Sequence, residues 1–160
     1  MKQTNATMCR PAKVRAAWRS DSPVGSNAMD FLKHLPSPIS PTFSEGLRID
    51  TRAGSWIFIA GQVGVPLSSD KGCVTFEQEV RTTFERIRDS LGKLGAGMNH
   101  VVSIKTYLTD LGPYAVFSRI RGEFFPKDPP TSTAVQVAGL LLNAKIEIDA
   151  VAFLPGSPAA

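Results

Sequence analysis

The chain has 160 residues, 42% of them hydrophobic and 20% charged, which is enough for one globular domain with a sizeable core. Its formal net charge of +4 comes entirely from residues 1–40, because residues 41–160 hold twelve Lys or Arg and twelve Asp or Glu. The neutral second part disfavours a nucleic-acid partner, and the lack of an apolar run of about 20 residues predicts no membrane partner.

Residues 1–40 are predicted to be a disordered basic extension, since they are rich in Ser, Pro, Asn and Ala and have no acidic residue before Asp21. One interpretation is a flexible tail or an overhang before a start at Met29, and another is an organellar transit peptide. Cys9 and Cys73 belong to no C-x-x-C or Cys/His pattern. Both are predicted to be free thiols, and the expected location is a reducing cytoplasm.

One domain is predicted over residues 41–155, with a flexible C-terminal tail at residues 156–160. Its beginning indicates a β-hairpin. Leu47 and Ile49 alternate with charged neighbours, and a turn with glycine leads into the apolar run of residues 56–60. The second strand of this hairpin is expected to be central and buried.

Two helices are predicted after the hairpin. Thr75 and Gln78 form a capping-box pattern ahead of apolar residues at helical spacing, which continue to Leu94. Asp110 is predicted to cap the second helix, with Pro113 in its first turn.

Three further strands complete the domain, at Val101–Leu108, Thr133–Val137 and Lys145–Phe153. The predicted order is β-β-α-β-α-β-β, an α/β (α+β) domain with a mixed sheet. Because strand-helix-strand crossovers are right-handed, both helices are expected on one face of the sheet.

The other sheet face lacks a predicted cover. In the last strand, alternate residues point to this face and mix apolar with acidic groups: Glu147, Asp149, Val151 and Phe153. Burial against copies of itself in a closed ring is the natural solution, so a homo-oligomer is predicted.

Glu147 is the candidate catalytic carboxylate, because it interrupts apolar strand residues at a position that faces the oligomer interior. Reduced hydration there would raise its pKa and let it transfer protons near neutral pH. The alternative is an ion pair with Lys105 or Lys145. No pattern for a nucleophile elbow, a zinc site or a phosphate-binding loop is present, and no metal or cofactor is predicted.

Six short motifs, in order and at the right spacings from about Ser40 to Leu154, resemble the RidA/YjgF family, also called L-PSP. They are Ile59-Ala60-Gly61-Gln62, Gly95-x-Gly97 before Val101-Val102, Tyr107 to Leu111, Glu123-Phe124-Phe125, Pro130 to Val135 and Lys145 to Ala150. The resemblance implies a chorismate-mutase-like homotrimer with a small-molecule cleft at each subunit interface. It also implies hydrolysis of enamines and imines to 2-oxo acids and ammonia, although some members are described as ribonucleases or translation inhibitors.

The resemblance carries site residues over one by one. Glu147 matches the interfacial Glu, Phe43 an aromatic residue that is commonly Tyr, Ala60 a position that is often Ser, and Ser118 an Asn-like position on the second helix. The largest departure is Ser132, which stands where the P-x-R-[ST] motif has its substrate-binding Arg.

A serine hydroxyl cannot replace the bidentate charged clamp of an arginine. Ser132, Thr133 and nearby backbone donors are therefore expected to hold a ligand other than a small 2-imino acid. The alternative is that Arg119 or Arg121 replaces the missing charge from the second helix.

Three hypotheses for the function remain open. The first is a divergent deaminase-like hydrolase in which Glu147 activates water, and the second is a non-catalytic metabolite sensor or binding module. The third, a ribonuclease or translation inhibitor, is disfavoured by the neutral charge of residues 41–160.

Overall fold

The computed structural model of the protein describes residues 31–66 and 74–156. Six strands form one mixed sheet and two helices cover one of its faces. The elements are β1 (Leu32–Pro36), β2 (Ser44–Thr51), β3 (Gly54–Val63), α1 (Phe76–Lys93), β4 (Val101–Leu108), α2 (Tyr114–Phe124), β5 (Thr131–Gln136) and β6 (Ile146–Pro155). The predictions made for residues 1–30 and 157–160 and for both cysteines fall outside the described residues.

The strand order in the sheet is β1-β2-β3-β6-β4-β5. The chain end β6 inserts between β3 and β4 and runs antiparallel to both. Strands β4 and β5 are parallel and joined through α2, whereas β2 and β3 form the predicted hairpin. The sheet is therefore mixed, and β1 and β5 form its two edges.

The two helices pack side by side on the same face of the sheet, as predicted. The ring of Phe84 on α1 stacks on Phe117 and Phe124 of α2, with centroid distances of 6.2 and 4.9 Å. Beneath them lies the apolar core, to which the sheet contributes alternate buried residues such as Ile57 and Ile148.

The start of α1 is confirmed in detail, and the start of α2 differs from the prediction. Thr75 and Gln78 form both halves of the capping box. At α2, Pro113 occupies the N-cap position itself and provides no side-chain cap. The Asp110 carboxylate instead accepts a hydrogen bond from the Gly112 amide at 2.8 Å, so it stabilises the preceding turn.

Strand β1 corrects the predicted extent of the disordered extension. Leu32–Pro36 lies within residues 1–40, yet it pairs antiparallel with β2 from Leu32 opposite Ile49 to Leu35 opposite Gly46. Its pairing depends on β2, a long-range partner that the local composition of the segment does not reveal. The sheet thus has one more strand than the predicted order.

The sheet face opposite the helices is open and exposes large apolar side chains. Trp56, Phe58 and Val135 each expose 42% of their surface there. Trp56 packs against Phe153 of β6 with a centroid distance of 5.0 Å. The alternation in β6 matches the prediction, because Ile146, Ile148, Ala150 and Ala152 are buried beneath the helices.

No helix among the described residues combines the length and apolar character needed to cross a membrane.

Candidate functional site

The main cleft of the described residues lies where β3 ends, beside Glu147 on β6, and has a volume of about 620 Å³. It brings together three of the predicted site residues, Phe43, Ala60 and Glu147. Other residues of its lining are Ile39, Glu45, Gly61, Arg86, Lys93, Leu141 and Leu142.

A bulge in β3 shapes the floor of this cleft. Ile59 pairs with Ala150 and Gln62 with Ile148, so β3 has one more residue than β6 between these pairs. The bulge residues Ala60 and Gly61 therefore break the regular ladder next to Glu147. A Cβ atom on Gly61 would overlap the Glu147 carboxyl group in its present position, so the absence of a side chain at Gly61 makes room for this carboxyl group.

Glu147 has the electrostatic character predicted for it. Partial burial raises the pKa of its carboxyl group, and the negative charge of Asp149, two residues further on the same strand face, raises the pKa again. Within residues 31–66 and 74–156 it forms no ion pair, so neither Lys105 nor Lys145 neutralises it. In register, Lys105 lies opposite Asp149.

Tyr107 and Asp149 extend the polar group around Glu147. The Tyr107 hydroxyl donates to Oδ2 of Asp149 at 3.1 Å. This hydrogen bond is the largest cause of the raised pKa of Tyr107. The negative charges of Asp149 and Glu147 raise this pKa further. Three ionisable groups on the open face are thus electrostatically coupled.

The cleft lining combines apolar and polar side chains. Phe43 is half exposed, and Leu141 exposes 81% of its surface. The next residue, Leu142, has a φ of 59° in the left-handed region, where a non-glycine residue is strained. Among the polar lining residues, Glu45 accepts a hydrogen bond from Ser90 and lies 3.5 Å from Lys93 Nζ.

Ser118 and Ser132 lie elsewhere, beside the β5 edge of the sheet. Arg121 Nη1 donates to Ser132 Oγ at 2.8 Å and its Nη2 donates to Ser118 Oγ at 3.2 Å. The guanidinium also lies over the Phe117 ring, 5.2 Å from its centroid. Arg121 therefore brings positive charge to Ser132, the position at which the resemblance predicts an arginine.

The predicted site residues thus fall into two groups within one chain. Phe43, Ala60 and Glu147 share the cleft, whereas Ser132 is on β5, separated from β6 by β4. Thr133 is in register with Lys105 and lies on the same open face as Glu147. The two groups do not meet within a single chain.

Arg119, the other arginine on α2 that could replace the missing charge, is already paired with two carboxylates. Its Nη2 lies 2.9 Å from Glu77 and its Nη1 lies 3.0 Å from Glu123. Both carboxylates have their pKa lowered by hydrogen bonds to Arg119 and Arg81. Of the two alternatives, only Arg121 contacts Ser132.

From the sequence, no role was assigned to Gly61, and Arg121 was considered only as an alternative source of positive charge. An isolated glycine in an apolar strand is a known mark of a bulge or a close approach, so Gly61 had a usable signal. The contact of Arg121 with Ser132 depends on how α2 lies over the β5 edge, and no local pattern encodes it.

Comparisons with known proteins give matches to a family model, to related sequences and to solved structures. The family model described as endoribonuclease L-PSP matches residues 36–154. A RutC family protein of Pyrococcus abyssi is 30% identical over 126 residues, which cover 77% of this chain and 94% of that protein. The chloroplastic Reactive Intermediate Deaminase A of Arabidopsis thaliana is 28% identical over 120 residues, covering 74% and 62%.

A solved structure extends the similarity to the fold. The crystal structure of RidA from an Antarctic Psychrobacter has a TM-score of 0.63 and 26% sequence identity, and the match covers 76% of this chain and 94% of that one.

Proposed function

The chain belongs to the RidA/YjgF/L-PSP family, and from this premise we propose that it is a deaminase-like hydrolase of imines or enamines, with Glu147 as its catalytic residue. The predicted chorismate-mutase-like α+β fold is confirmed by the same similarities. Names of relatives, such as Reactive Intermediate Deaminase A, support the reaction class. The observation that carries the proposal is the Glu147 carboxyl group, unpaired in the described residues and held against Gly61 in the main cleft.

Glu147 can act as both acid and base in this reaction. The raised pKa makes Glu147 protonated more often than an exposed glutamate is at the same pH, and in its protonated form it can protonate an imine nitrogen or an enamine carbon. The resulting carboxylate can then take a proton from water, whose oxygen attacks the C=N carbon. Collapse of the adduct releases ammonia and leaves a carbonyl group.

We expect the complete cleft to form between copies of the chain in a homotrimer. The open sheet face exposes large apolar side chains such as Trp56 and Phe58, which a monomer would leave in water. Ser118 and Ser132 lie at the β5 edge, away from Glu147. Contact between the β5 edge of one copy and the cleft of its neighbour would reunite the two groups.

The substrate is expected to differ from a small 2-imino acid. At Ser132 a neutral hydroxyl replaces the planar bidentate clamp of an arginine. A charge-assisted hydrogen bond contributes roughly 1.5 to 3 kcal/mol, so the loss weakens binding of a small imino acid by about tenfold to a hundredfold. The apolar side chains of the cleft lining, such as Phe43, favour a bulkier molecule.

The proposal is tested by ammonia and 2-oxo acid release from imines generated in situ by an amino-acid oxidase. We expect little acceleration with 2-iminopropanoate and more with imines that carry a larger side chain. Ser132→Arg should gain activity on 2-iminopropanoate. Glu147→Gln should abolish turnover in both backgrounds, and turnover that survives this substitution would rule out Glu147 as the catalytic residue.

A non-catalytic binding module is the second candidate. It is favoured by the changes at Phe43, Ala60 and Ser132, which replace polar groups of the family pattern although the cleft persists. Thermal stabilisation by a metabolite, without any product in mass spectrometry, would support this function. Ribonuclease activity is disfavoured by the neutral charge of residues 41–160, and RNA cleavage that survives repeated purification would contradict that judgement.

A further inference from the structure

We propose that Leu141 and Leu142, on the loop between β5 and β6, determine the specificity of the cleft by binding an apolar side chain of the substrate. This inference deepens the proposed function and rests on it in one respect: the substrate reacts at Glu147. It names a substrate class, imines or enamines that carry an aliphatic or aromatic side chain, as opposed to a polar side chain of the same size.

The backbone of this loop is held in an unfavourable conformation. Leu142 has a φ of 59° and a ψ of 22°, and the following Asn143 has a φ of 54°, so two successive residues are left-handed. Asparagine adopts this region readily, but leucine does so at a cost, because its Cβ atom approaches a carbonyl oxygen. Such a conformation persists only where the surrounding structure enforces it, and residues of this kind cluster at functional sites.

Hydrogen bonds on the C-terminal side of the loop enforce this conformation. The Ala144 amide donates to the Leu141 carbonyl at 3.1 Å, and Ala144 is itself buried. The Lys145 amide donates to the buried carboxylate of Glu79 at 2.6 Å, and the Lys145 carbonyl accepts from the Thr109 amide at 3.1 Å. The loop is thus anchored immediately after the leucines, which fixes their position relative to β6.

The anchored loop places both leucine side chains where they contribute little to the core. Leu141 exposes 81% and Leu142 exposes 53% of its surface, and both line the cleft that contains Glu147. Ile39 and Phe43, also exposed, line the same cleft from the segment between β1 and β2. Large apolar side chains in water lose the free energy of burial, and a ligand that covers them recovers it.

Charged residues of the lining are less available to a ligand than the leucines are. Glu45 accepts from Ser90 and lies beside Lys93, and Arg86 donates to two backbone carbonyl groups at the end of β3 and just after it. The cleft volume of about 620 Å³ lies within the range of about 300 to 1,000 Å³ that ligand pockets have, so a side chain fits beside the reacting group. The exposed leucines are the groups that this side chain is expected to contact.

The experiment measures binding of unreactive 2-oxo acids, analogues of the reaction product, to the full chain by NMR titration. The probes are 2-oxopentanoate and 4-hydroxy-2-oxobutanoate, which differ only in a terminal methyl or hydroxyl group and so separate an apolar side chain from a polar one of the same size. The variants are Leu142→Asn and Leu141→Ser. Leu111→Asn is the matched control, because Leu111 is an exposed leucine outside the cleft lining.

We expect the unaltered chain to bind 2-oxopentanoate at least about fourfold more tightly than the hydroxylated probe, which is the gain from burying one methyl group. Leu142→Asn and Leu141→Ser should each reduce this preference, and Leu111→Asn should retain it. Equal affinity of the unaltered chain for the two probes, or a preference that survives both substitutions in the cleft, would overturn the proposal.

Thermal melting separates this role from a structural one. Asparagine adopts the left-handed region more readily than leucine, so Leu142→Asn should raise Tm or leave it unchanged while it weakens binding of 2-oxopentanoate. A leucine that served the fold or the contact between copies would behave differently. A lower Tm, or a smaller mass in light scattering, would therefore contradict the role in specificity.

The binding test is independent of catalysis. If Glu147→Gln abolishes turnover while the probe preference persists in both leucine variants, the specificity site is wrong and the hydrolase remains supported. If the leucine variants lose the preference while Glu147→Gln keeps full turnover, the proposed catalytic residue is wrong and the specificity site stands.

Discussion

The carboxyl group of Glu147 is one of two neighbouring acids on β6, so its proton affinity depends on Asp149. Burial is the larger cause of its raised pKa and the negative charge of Asp149 is the smaller one. Both effects disfavour the charged form of the glutamate. The coupling can be tested by removing one charge at a time.

Asp149→Asn should lower the pKa of both Glu147 and Tyr107, since each is raised by Asp149. A lower pKa leaves a smaller fraction of Glu147 protonated at neutral pH. The part of the pH–rate profile that depends on protonated Glu147 should therefore move to lower pH. Carbon NMR of the Glu147 carboxyl and the absorbance of tyrosinate report the two titrations separately.

Tyr107→Phe is the matched control, because it removes the hydrogen bond to Asp149 and retains the charge. The pKa of Glu147 should then stay raised. An unchanged Glu147 titration in Asp149→Asn would mean that burial alone accounts for the shift.

Single residues also show which parts of the site could be predicted. Alternation along the last strand was sufficient to select Glu147 and its face, because strand periodicity is a local property. The pairing of Arg121 with Ser132 joins a helix to an edge strand across eleven residues. It depends on how α2 packs, which requires tertiary structure.

At the level of elements, Glu79 connects α1 with the strand that carries Glu147. Its side chain is 1% exposed, and Oε1 accepts from the Lys145 amide at 2.6 Å and from the Ile146 amide at 3.1 Å. Charge-assisted hydrogen bonds of this kind are stronger than those to neutral acceptors. They fix the beginning of β6, two residues from the catalytic candidate.

Glu79→Gln should lower the free energy of unfolding by roughly 1 to 1.5 kcal/mol, the difference between a hydrogen bond to a charged acceptor and one to a neutral acceptor. Urea unfolding at fixed protein concentration measures the change. Glu85→Gln, at an exposed position of the same helix, is the control and should change stability by less than about 0.5 kcal/mol. Equal effects at the two positions would remove the special role of Glu79.

The elements differ in how far their own sequence determines them. Helix α1 carries its capping box and its apolar stripe within the segment, and it was predicted correctly. Strand β1 contains only five residues, two of them charged or titratable, and becomes a strand because β2 offers a free edge. For α2, the rigid backbone of Pro113 sets the first turn, and Asp110 is used one turn earlier.

At the level of the whole molecule, the open sheet face is the reason to expect assembly. Its exposed aromatic side chains lie on the central strand β3 and face away from both helices. A ring was predicted from the sequence because the topology places both helices on one side. The number of subunits follows only from the resemblance and stays a prediction.

Phe58→Glu should convert a trimer into monomers, because a charge at the centre of the open face would be buried on assembly without a partner. In the free chain the same side chain is 42% exposed, so the monomer should remain folded. Light scattering measures the mass. Arg88→Glu on the exposed side of α1 is the control and should leave the mass unchanged.

A monomeric mass for the unaltered chain would contradict the assembly itself. It would also separate Ser132 from Glu147 permanently, since the two residues do not meet within one chain.

The short strand β1 has a consequence for aggregation. Without it, the eight-residue strand β2 would present its unpaired backbone groups to solvent as a template for uncontrolled strand addition. Strand β1 is shorter, carries Lys33 and His34, and ends in an irregular pairing at Pro36, features that discourage further strands from joining. Strand β1, which contributes little to the core, therefore makes fibril formation by strand addition at this edge less favourable.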